Sequence, residues 1–285
     1  MDAQPRAAAG GFIFRTSPRD VIPLAVTLAQ LALTFTVAAH FEAWSAGVLT
    51  ALFPVQVMLA WYNPIISTHN FLHHPFFRAR ALNAGYAALN SVNLGLPQIL
   101  YHFHHLNHHA YCNDRRDAEG RTRDLSSTYA YGRGGAQEGP LSYALLGLFR
   151  PGTTVALGTA LRRGRGGQLA LETLTLVVGL GVLGWLSPAF LLCYWLPAFY
   201  LGWALAQLEN YYEHAGARDV GRRGADAVSY YGRVYNALLC NEGYHQEHHY
   251  RPRVHWTERP AVREALAGVE RTVAAHPPLL GFLER

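Results

Sequence analysis

The sequence predicts an all-α membrane protein with four transmembrane helices and a cytoplasmic helical cap. Three observations lead to this fold class. Apolar residues are concentrated in uncharged runs, arginines avoid two short loops, and histidines cluster between the runs. Half of the 285 residues are hydrophobic and only 15% are charged, a composition that on length alone would also permit one or two soluble domains. The distribution of the apolar residues therefore decides the prediction.

Two pairs of apolar runs are long enough to cross a membrane. Residues 21–39 and 46–66 form the first pair, and residues 169–186 and 189–208 form the second. A helix of about 20 residues spans the ~30 Å hydrocarbon layer, and each run approaches that length. Two prolines in the second run are expected to kink or end its helix. The sequence therefore predicts four spans.

A further uncharged stretch, residues 81–100, is interpreted differently. It contains three asparagines, a serine, a proline and a glutamine. A crossing here would place the histidines of residues 69–73 and 105–109 on opposite membrane faces, where they could not share a site. We therefore expect an interfacial or re-entrant segment. The chain is then one membrane domain over residues 1–285, with the cap formed by residues 209–276.

The arginines set the predicted orientation. All 24 basic residues are arginines, and none falls in the turns at residues 40–45 and 187–188. Positive residues in short loops favour the cytoplasmic side, so both termini and all the histidine clusters are predicted to be cytoplasmic. A pI near 9.2 is also compatible with nucleic-acid binding. The topology explains the arginines better, and no nucleic-acid partner is expected.

Three histidine clusters carry the chemical signal. Residues spaced i, i+3 and i+4 lie on one face of a helix, and imidazole is a common nitrogen ligand of transition metals. Eight such side chains exceed the roughly four to six ligands of one metal ion, so two metals are predicted. The clusters are His69 and His73; His105, His108 and His109; and His245, His248 and His249.

A further histidine follows the fourth run. His214 lies one helical turn after Asn210 and would be the ninth nitrogen ligand. Asn210 is expected to act through a water molecule or as an anchor beside the ligands. Glu213, Glu242 and Glu247 are candidates to accept the ring N–H of a ligand histidine, which would fix its tautomer.

The identity of the metal and of one ligand stays open at this point. All-nitrogen ligation argues against an iron–sulfur cluster or structural zinc. Two irons that activate O2 are favoured, although imidazole also suits zinc, copper and nickel. His104 could replace His105 in a His-x-x-x-His-His pattern. The Tyr-Cys-Asn-Asp sequence that follows favours His105, which leaves His104 beside the site.

The histidine clusters resemble the histidine boxes of the membrane fatty acid desaturase and hydroxylase superfamily. The resemblance implies two non-haem irons at the cytoplasmic side of four spans, bound by the eight clustered histidines. It also implies O2-dependent removal of hydrogen from a lipid chain. The stretch Asn210–His214 is similar to the Asn-Tyr-x-Glu-His motif of membrane alkane monooxygenases, in which the histidine is an iron ligand. The matching sequences are His69-Asn-Phe-Leu-His73, His105-Leu-Asn-His108-His109 and Asn241-Glu-Gly-Tyr-His245-Gln-Glu-His248-His249.

We therefore expect an O2-dependent desaturase that acts on a fatty acyl or similar long apolar chain. Alkane or acyl hydroxylation and carotenoid ketolation or hydroxylation remain alternatives, because desaturation and hydroxylation share the first hydrogen abstraction. No cytochrome b5-like domain, flavin fingerprint or ferredoxin cysteine set is visible, so an external ferredoxin, rubredoxin or cytochrome b5-type electron donor is implied. A non-enzymatic metal transporter or sensor is disfavoured, because the histidines lie at the ends of the spans and not within them.

Overall fold

The computed structural model of the chain describes residues 11–218, 224–266, 268–269 and 271–284, and the regular elements within these ranges are helices. The described chain divides into two compact units. The first unit comprises the residues up to Gln98 together with Gly167–Phe199. The second comprises Ile99–Gly166 together with the residues from Tyr200 onward. A single domain over residues 1–285 with a cap over residues 209–276 stays a prediction.

Thirteen α-helices occur within the described residues, linked in places by short π-helical or 3₁₀ turns. The α-helices are α1 (Val21–His40), α2 (Ala46–Tyr62), α3 (His69–His73), α4 (Arg80–Leu94), α5 (Gln98–Tyr111), α6 (Pro140–Leu146), α7 (Gly152–Arg162), α8 (Gly166–Leu186), α9 (Pro188–Phe190), α10 (Leu196–His214), α11 (Arg233–Leu238), α12 (His245–Tyr250) and α13 (Arg259–Ala265). The π-helical turns are Asn63–Thr68 and Leu191–Trp195. The 3₁₀ turns are Pro18–Asp20, Arg133–Gly135, Gly147–Phe149, Trp256–Glu258 and Pro278–Glu284.

Four helical stretches are long and apolar enough to cross a membrane. They are Pro18–His40, Ala46–His73, Gly166–Leu186 and Pro188–His214. Each predicted run lies inside one of these stretches, so the prediction of four spans is confirmed. The second and fourth helices continue beyond their apolar runs, which end at residues 66 and 208. A helix is maintained by its backbone hydrogen bonds, and most of the added residues are buried, including the polar Ser67, Thr68 and Glu209.

Pro64 does not end the second span. The π-helical turn Asn63–Thr68 connects α2 directly to α3. Proline lacks an N–H donor and disturbs the regular α-helical ladder, and a π-helical turn is one way in which a helix accommodates such a disturbance. The continuation places the imidazole rings of His69 and His73 side by side, with 5.1 Å between their centroids.

Buried amides hold the first unit together around this π-helical turn. The Asn63 amide donates to Gln30 Oε1 at 2.7 Å and to Asn90 Oδ1 at 2.8 Å. Asn63 Oδ1 accepts from Thr68 at 2.7 Å, and the Asn90 amide donates to Gln98 Oε1 at 2.8 Å. Polar groups in an apolar environment must be hydrogen-bonded to be tolerated. The network therefore joins α1, the second span and α4.

The polar residues within 81–100 have their explanation in this network. Asn90 and Asn93 lie on the buried face of α4, and Gly95, at φ +65°, ends that helix. The segment is not one of the candidate spans in the described chain, as the sequence predicted. Its interfacial or re-entrant position stays a prediction.

A bent helix pair before the third span was not predicted. Pro140–Phe149 and Gly152–Arg162 meet at 48° and would be a fifth candidate span if they crossed the membrane as one element. The bend lies at Arg150-Pro151, where proline cannot continue the backbone hydrogen bonds of the preceding helix. The pair belongs to the second unit.

Candidate metal centre

Seven of the nine predicted histidine ligands lie in the second unit, and all seven are buried. They project from α5, from the last turn of α10 and from α12. Two Cys-Asn pairs turn the chain beside the boxes. Cys112 and Asn113 follow α5 with φ of 47° and 57°, and Cys240 and Asn241 precede α12 with φ of 49° and 59°. Asparagine tolerates this left-handed region better than most residues do.

The first group combines four histidines from all three helices. His108 Nε2 lies 3.0 Å from His214 Nε2, and His245 Nε2 lies 3.3 Å from the same atom. His249 completes the group, whose ligand atoms all lie within 4.8 Å of one another. These four residues are called the four-histidine group below.

A second group lies beside the first. His109 Nε2 is 3.0 Å from both His105 Nε2 and His248 Nε2. The rings of His109 and His249 have centroids 4.6 Å apart, so the two groups adjoin. His105, His109 and His248 are called the three-histidine group below.

Each His-x-x-His-His box contributes to both groups. On α5 the i, i+4 pair His105 and His109 belongs to the three-histidine group, while His108 belongs to the four-histidine group. On α12 the i, i+4 pair His245 and His249 belongs to the four-histidine group, while His248 belongs to the other. Residues at i and i+4 are separated by about 40° around a helix axis. In each box, the histidine outside the i, i+4 pair therefore projects to one side of that pair.

The distances between the Nε2 atoms of neighbouring histidines fit metal ligation. With metal–nitrogen distances of about 2.1 Å, neighbouring ligand atoms lie roughly 3.0–3.4 Å apart at octahedral or tetrahedral angles. The closest Nε2 pairs in both groups are 3.0–3.3 Å apart. The donor set is neutral nitrogen, which suits iron, zinc, copper or nickel.

Asp124 orients His108 from the far side of its ring. Its Oδ2 atom lies 2.9 Å from His108 Nδ1, and both residues are buried. Burial alone would lower the pKa of His108, but the Asp124 charge and hydrogen bond oppose it and raise the pKa above its ordinary value. Burial also opposes ionisation of Asp124, yet His108 and two backbone N–H groups lower the pKa of this carboxyl to about 2. A carboxylate on Nδ1 leaves Nε2 free to face a metal.

Asp226 serves two histidines of the four-histidine group. Its backbone carbonyl lies 2.9 Å from His214 Nδ1, and its Oδ2 atom lies 3.4 Å from His249 Nδ1. Although burial opposes ionisation, the hydrogen bond and charge of His249 hold the pKa of Asp226 well below its usual range. One residue thus orients two predicted ligands.

Two glutamates face the remaining histidine of this group. Glu213 Oε1 lies 3.4 Å from His245 Nδ1, and Glu242 Oε1 lies 3.5 Å from the same nitrogen. Glu242 Oε2 in turn accepts from Arg259 at 2.7 Å. Every histidine of the four-histidine group therefore has a carboxylate or a backbone carbonyl near Nδ1, as ligand histidines usually do.

The comparison with known families decides what kind of protein carries this arrangement. The family model described as fatty acid desaturase matches residues 42–276. This range includes all nine predicted histidine ligands and three of the four candidate spans. The chain belongs to the fatty acid desaturase family. No curated protein matches the chain.

Family membership confirms the resemblance that the histidine boxes indicated. The family implies an oxidoreductase that is embedded in membranes and has a lipid substrate. The family is known for non-haem di-iron, and the buried histidine groups of this chain could bind metal. The four apolar helices agree with an integral membrane protein.

Glu247 and Asn210 were also predicted to lie beside the metal ligands. Glu247 is buried, and its carboxylate accepts from Ser229 at 2.9 Å and from Tyr231 at 2.7 Å. The Asn210 amide donates to Tyr143 Oη at 2.8 Å. Roles of Glu247 and Asn210 beside the ligands stay predictions.

Three predicted site residues remain, namely His104 in the second unit and the first histidine box, His69 and His73, in the first unit. His104 is in neither histidine group, and burial lowers its pKa to about 4, so its imidazole is neutral near pH 7. His69 and His73 belong to the first unit, where His69 Nδ1 lies 3.1 Å from the Ile65 carbonyl. Ligation by His69 and His73 stays a prediction.

Asp124 and Asp226 were missed in the sequence. Both lie in polar loops next to arginines and glycines, where an aspartate normally indicates a solvated turn. Asp124 follows His108 by 16 residues, and Asp226 follows His214 by 12. Neither separation matches a helical period, so no local pattern could have indicated their contacts.

Proposed function

We propose that this chain is an O2-dependent di-iron membrane oxidase that desaturates a fatty acyl or similar long apolar chain. One observation supports the proposal above the others. In the buried four-histidine group, Nε2 atoms from three helices converge at 3.0–3.3 Å while carboxylates and a carbonyl face the opposite ring nitrogens. Among enzymes of this family, such a nitrogen-only site is suited to iron that reacts with O2.

The proposed ligand set contains nine histidines. The four-histidine group would hold one iron. The three-histidine group would hold the other, with His69 and His73 completing its ligands. The i, i+4 spacing of His69 and His73 on α3, together with their place in the family's first histidine box, supports this addition.

The protein side chains prepare the site in three ways. Carboxylates and a backbone carbonyl at Nδ1 keep the imidazoles of the four-histidine group in the tautomer whose Nε2 is free to bind metal. Burial excludes bulk water, which protects a reactive oxidant from side reactions. The irons, when bound, supply the O2-activating chemistry that removes hydrogen from an unactivated carbon. Electrons come from an external ferredoxin, rubredoxin or cytochrome b5-type protein.

Hydroxylation is the second candidate reaction. The stretch Asn210–His214 is similar to the Asn-Tyr-x-Glu-His motif of membrane alkane monooxygenases, and His214 belongs to the four-histidine group. Desaturation and hydroxylation differ in the fate of the carbon after the first hydrogen abstraction. Alkane, acyl-chain and carotenoid substrates all present the apolar C–H bonds that this chemistry requires.

Metal analysis tests the site directly. Purified wild-type protein should contain about two irons per chain on the proposed ligand count. His248→Ala and His245→Ala, one substitution in each group, should each lower the iron content. His40→Ala is the matched control, because this exposed histidine is the last residue of α1 and lies outside both groups. Unchanged iron content in both group variants would refute the proposed site.

Lipid analysis tests the reaction. Lipids of cells that express the wild-type protein are compared with those of cells that express His245→Ala. A product with two hydrogens fewer supports desaturation, and a product with an added oxygen supports hydroxylation. Identical lipid profiles, in cells that supply a working electron donor, would contradict the proposed activity.

The active site and both termini are proposed to lie on the cytoplasmic side. The two turns between paired spans contain no arginine, while the other connections carry all 24, and positive charge favours the cytoplasm. Reporter fusions after His214 and within residues 41–45 test this orientation. A periplasmic or luminal signal from the fusion after His214 would contradict it.

A further inference from the structure

The bent pair α6 and α7 presents an apolar face that the described protein leaves uncovered. Leu141 is 69% exposed and Phe149 is 75% exposed. Such a cluster of large apolar side chains is unusual on a surface that faces water. The exposed members include Leu141, Leu145, Leu146, Phe149, Val155 and Leu161.

The opposite face of the pair is fixed to the second unit by small residues. A Cβ atom at Gly147 would lie 2.8 Å from Gln207 Cγ, and one at Gly152 would lie 2.8 Å from His104 Cδ2. Tyr143 is fully buried and donates to the Ser126 carbonyl at 2.6 Å. The pair is therefore held against α5 and α10, and its apolar face points away from them.

The four-histidine group excludes a membrane crossing by this pair. His108 precedes the pair and His214 follows it, yet their Nε2 atoms are 3.0 Å apart. The chain between them already contains the candidate spans Gly166–Leu186 and Pro188–His214. Two crossings return a chain to the face from which it started. A third crossing would place His108 and His214 on opposite faces.

The short link between α7 and α8 indicates that lipid contacts the apolar face of the pair. α7 ends at Arg162, and the candidate span α8 begins at Gly166, so the end of α7 lies at the membrane surface. Arg162, Arg163 and Arg165 at this junction are all exposed. An apolar face beside arginines is typical of helices that lie in the headgroup region, where anionic lipids attract the basic side chains.

We propose that α6 and α7 lie in the lipid headgroup region of the membrane face that carries the histidine groups, with Arg162, Arg163 and Arg165 contacting anionic headgroups. The pair enters and leaves on that one face. Its apolar side chains contact the upper acyl chains. This inference goes beyond the proposed function and holds whether or not the histidines bind iron.

Sided labelling tests the absence of a crossing. Gly139→Cys and Gly167→Cys flank the pair at positions where an added Cβ meets nothing within 4 Å. With the exposed Cys193 replaced by alanine, a membrane-impermeant maleimide should label both sites from the same side of sealed vesicles. Gly47→Cys, one span away from Gly139, is the opposite-side control. Labelling of Gly139→Cys and Gly167→Cys from opposite sides would overturn the proposal.

Spin labelling tests the contact with lipid. In proteoliposomes, a nitroxide at Phe149→Cys should be several-fold more accessible to O2, relative to a water-soluble nickel chelate, than one at the exposed loop position Ala136→Cys. Equal ratios at the two positions would mean that water or protein, and not lipid, meets this face. That result would also overturn the proposal.

The arginine contact has its own measurement. Spin-labelled phosphatidylglycerol should be immobilised by the wild-type protein more strongly than spin-labelled phosphatidylcholine. The double variant Arg162→Gln/Arg163→Gln should lose part of this preference. Arg253→Gln, which changes an exposed arginine outside the pair, should retain it. Equal losses in the double variant and the control would refute the assignment of headgroup contact to these arginines.

Discussion

Replacement of Asp124 by asparagine tests how the protein orients the four-histidine group. Asp124 Oδ2 accepts from His108 Nδ1 at 2.9 Å and from the Asn113 N–H at 2.6 Å. Its Oδ1 accepts from the N–H and the hydroxyl of Ser126, both at 2.8 Å. All four groups are donors in this arrangement. The isosteric amide would keep the volume, remove the charge and turn one acceptor into a donor.

The magnitude follows from these four contacts. The amide should point its NH2 group at Ser126, because the serine hydroxyl can rotate to accept while only one N–H loses its acceptor. A buried donor without an acceptor costs about 1–3 kcal/mol. Loss of charge assistance in the bonds to His108 and Asn113 adds roughly 1 kcal/mol each. We therefore expect Asp124→Asn to lower the free energy of unfolding by roughly 3–5 kcal/mol.

The lowered pKa of Asp124 gives a stabilisation of the folded state of similar size, and it shows how that stabilisation depends on pH. A carboxyl pKa of about 2 against the ordinary 3.8 corresponds to roughly 2–3 kcal/mol in favour of the charged form. Because the folded-state pKa is depressed, this stabilisation is present above pH 3.8 and is lost as the pH falls through about 2. Measurements near neutral pH therefore capture the full effect.

The assay combines metal affinity with stability. Loss of a hydrogen-bonding partner on a ligand histidine typically weakens metal binding 10- to 100-fold, or by about 1.4–2.7 kcal/mol. Iron retention in competition with a chelator, and unfolding of the metal-free protein in detergent, measure the two effects separately. Two control variants accompany Asp124→Asn. Ser126→Ala keeps the Asp124 carboxylate, and Asp117→Asn makes the same charge change on an exposed loop. Wild-type iron affinity in Asp124→Asn would refute the orienting role.

Three further predictions concern other contacts. Asp226→Asn removes the charge beside His249 Nδ1 but keeps the backbone carbonyl, so iron affinity should fall about tenfold in chelator competition; unchanged affinity would show that the carboxylate does not orient the ring. Asn63→Ala leaves buried amide partners unsatisfied and should lower the free energy of unfolding by about 2–4 kcal/mol, measured by denaturation in detergent. Gly95→Ala adds a Cβ at φ +65°, 2.5 Å from an aromatic ring atom, so the melting temperature of this variant should fall below that of the wild type. In the control Gly85→Ala the added Cβ meets nothing within 4 Å, and its melting temperature should match or exceed that of the wild type.

The spans could be predicted because the signal for them is local. An uncharged run of about 20 residues must be buried in hydrocarbon or in protein, and each of the four runs became a candidate span. The ends of the helices could not be read from hydropathy. The second span continues through a π-helical turn to His73, and the fourth continues to His214, because buried polar contacts stabilise helix beyond the apolar part.

The bent pair shows where the local signal was insufficient. Residues 140–162 are apolar but interrupted at Arg150-Pro151, so neither half is long enough to span a membrane. Its relation to the membrane follows from the distance between His108 and His214. That contact joins residues far apart in sequence, and hydropathy contains no information about it.

The sequence by itself determined which residues form the candidate metal centre's three histidine boxes, because i, i+3 and i+4 spacing places imidazoles on one helical face whatever the tertiary fold. It also determined the four apolar spans. Only the tertiary structure decided how α5, α10 and α12 distribute their histidines between two groups. His108 meets His214 across 106 residues, and Asp124 and Asp226 reach the ring nitrogens from loops. Such contacts depend on how separate helices and loops pack together, and no spacing within one segment specifies them.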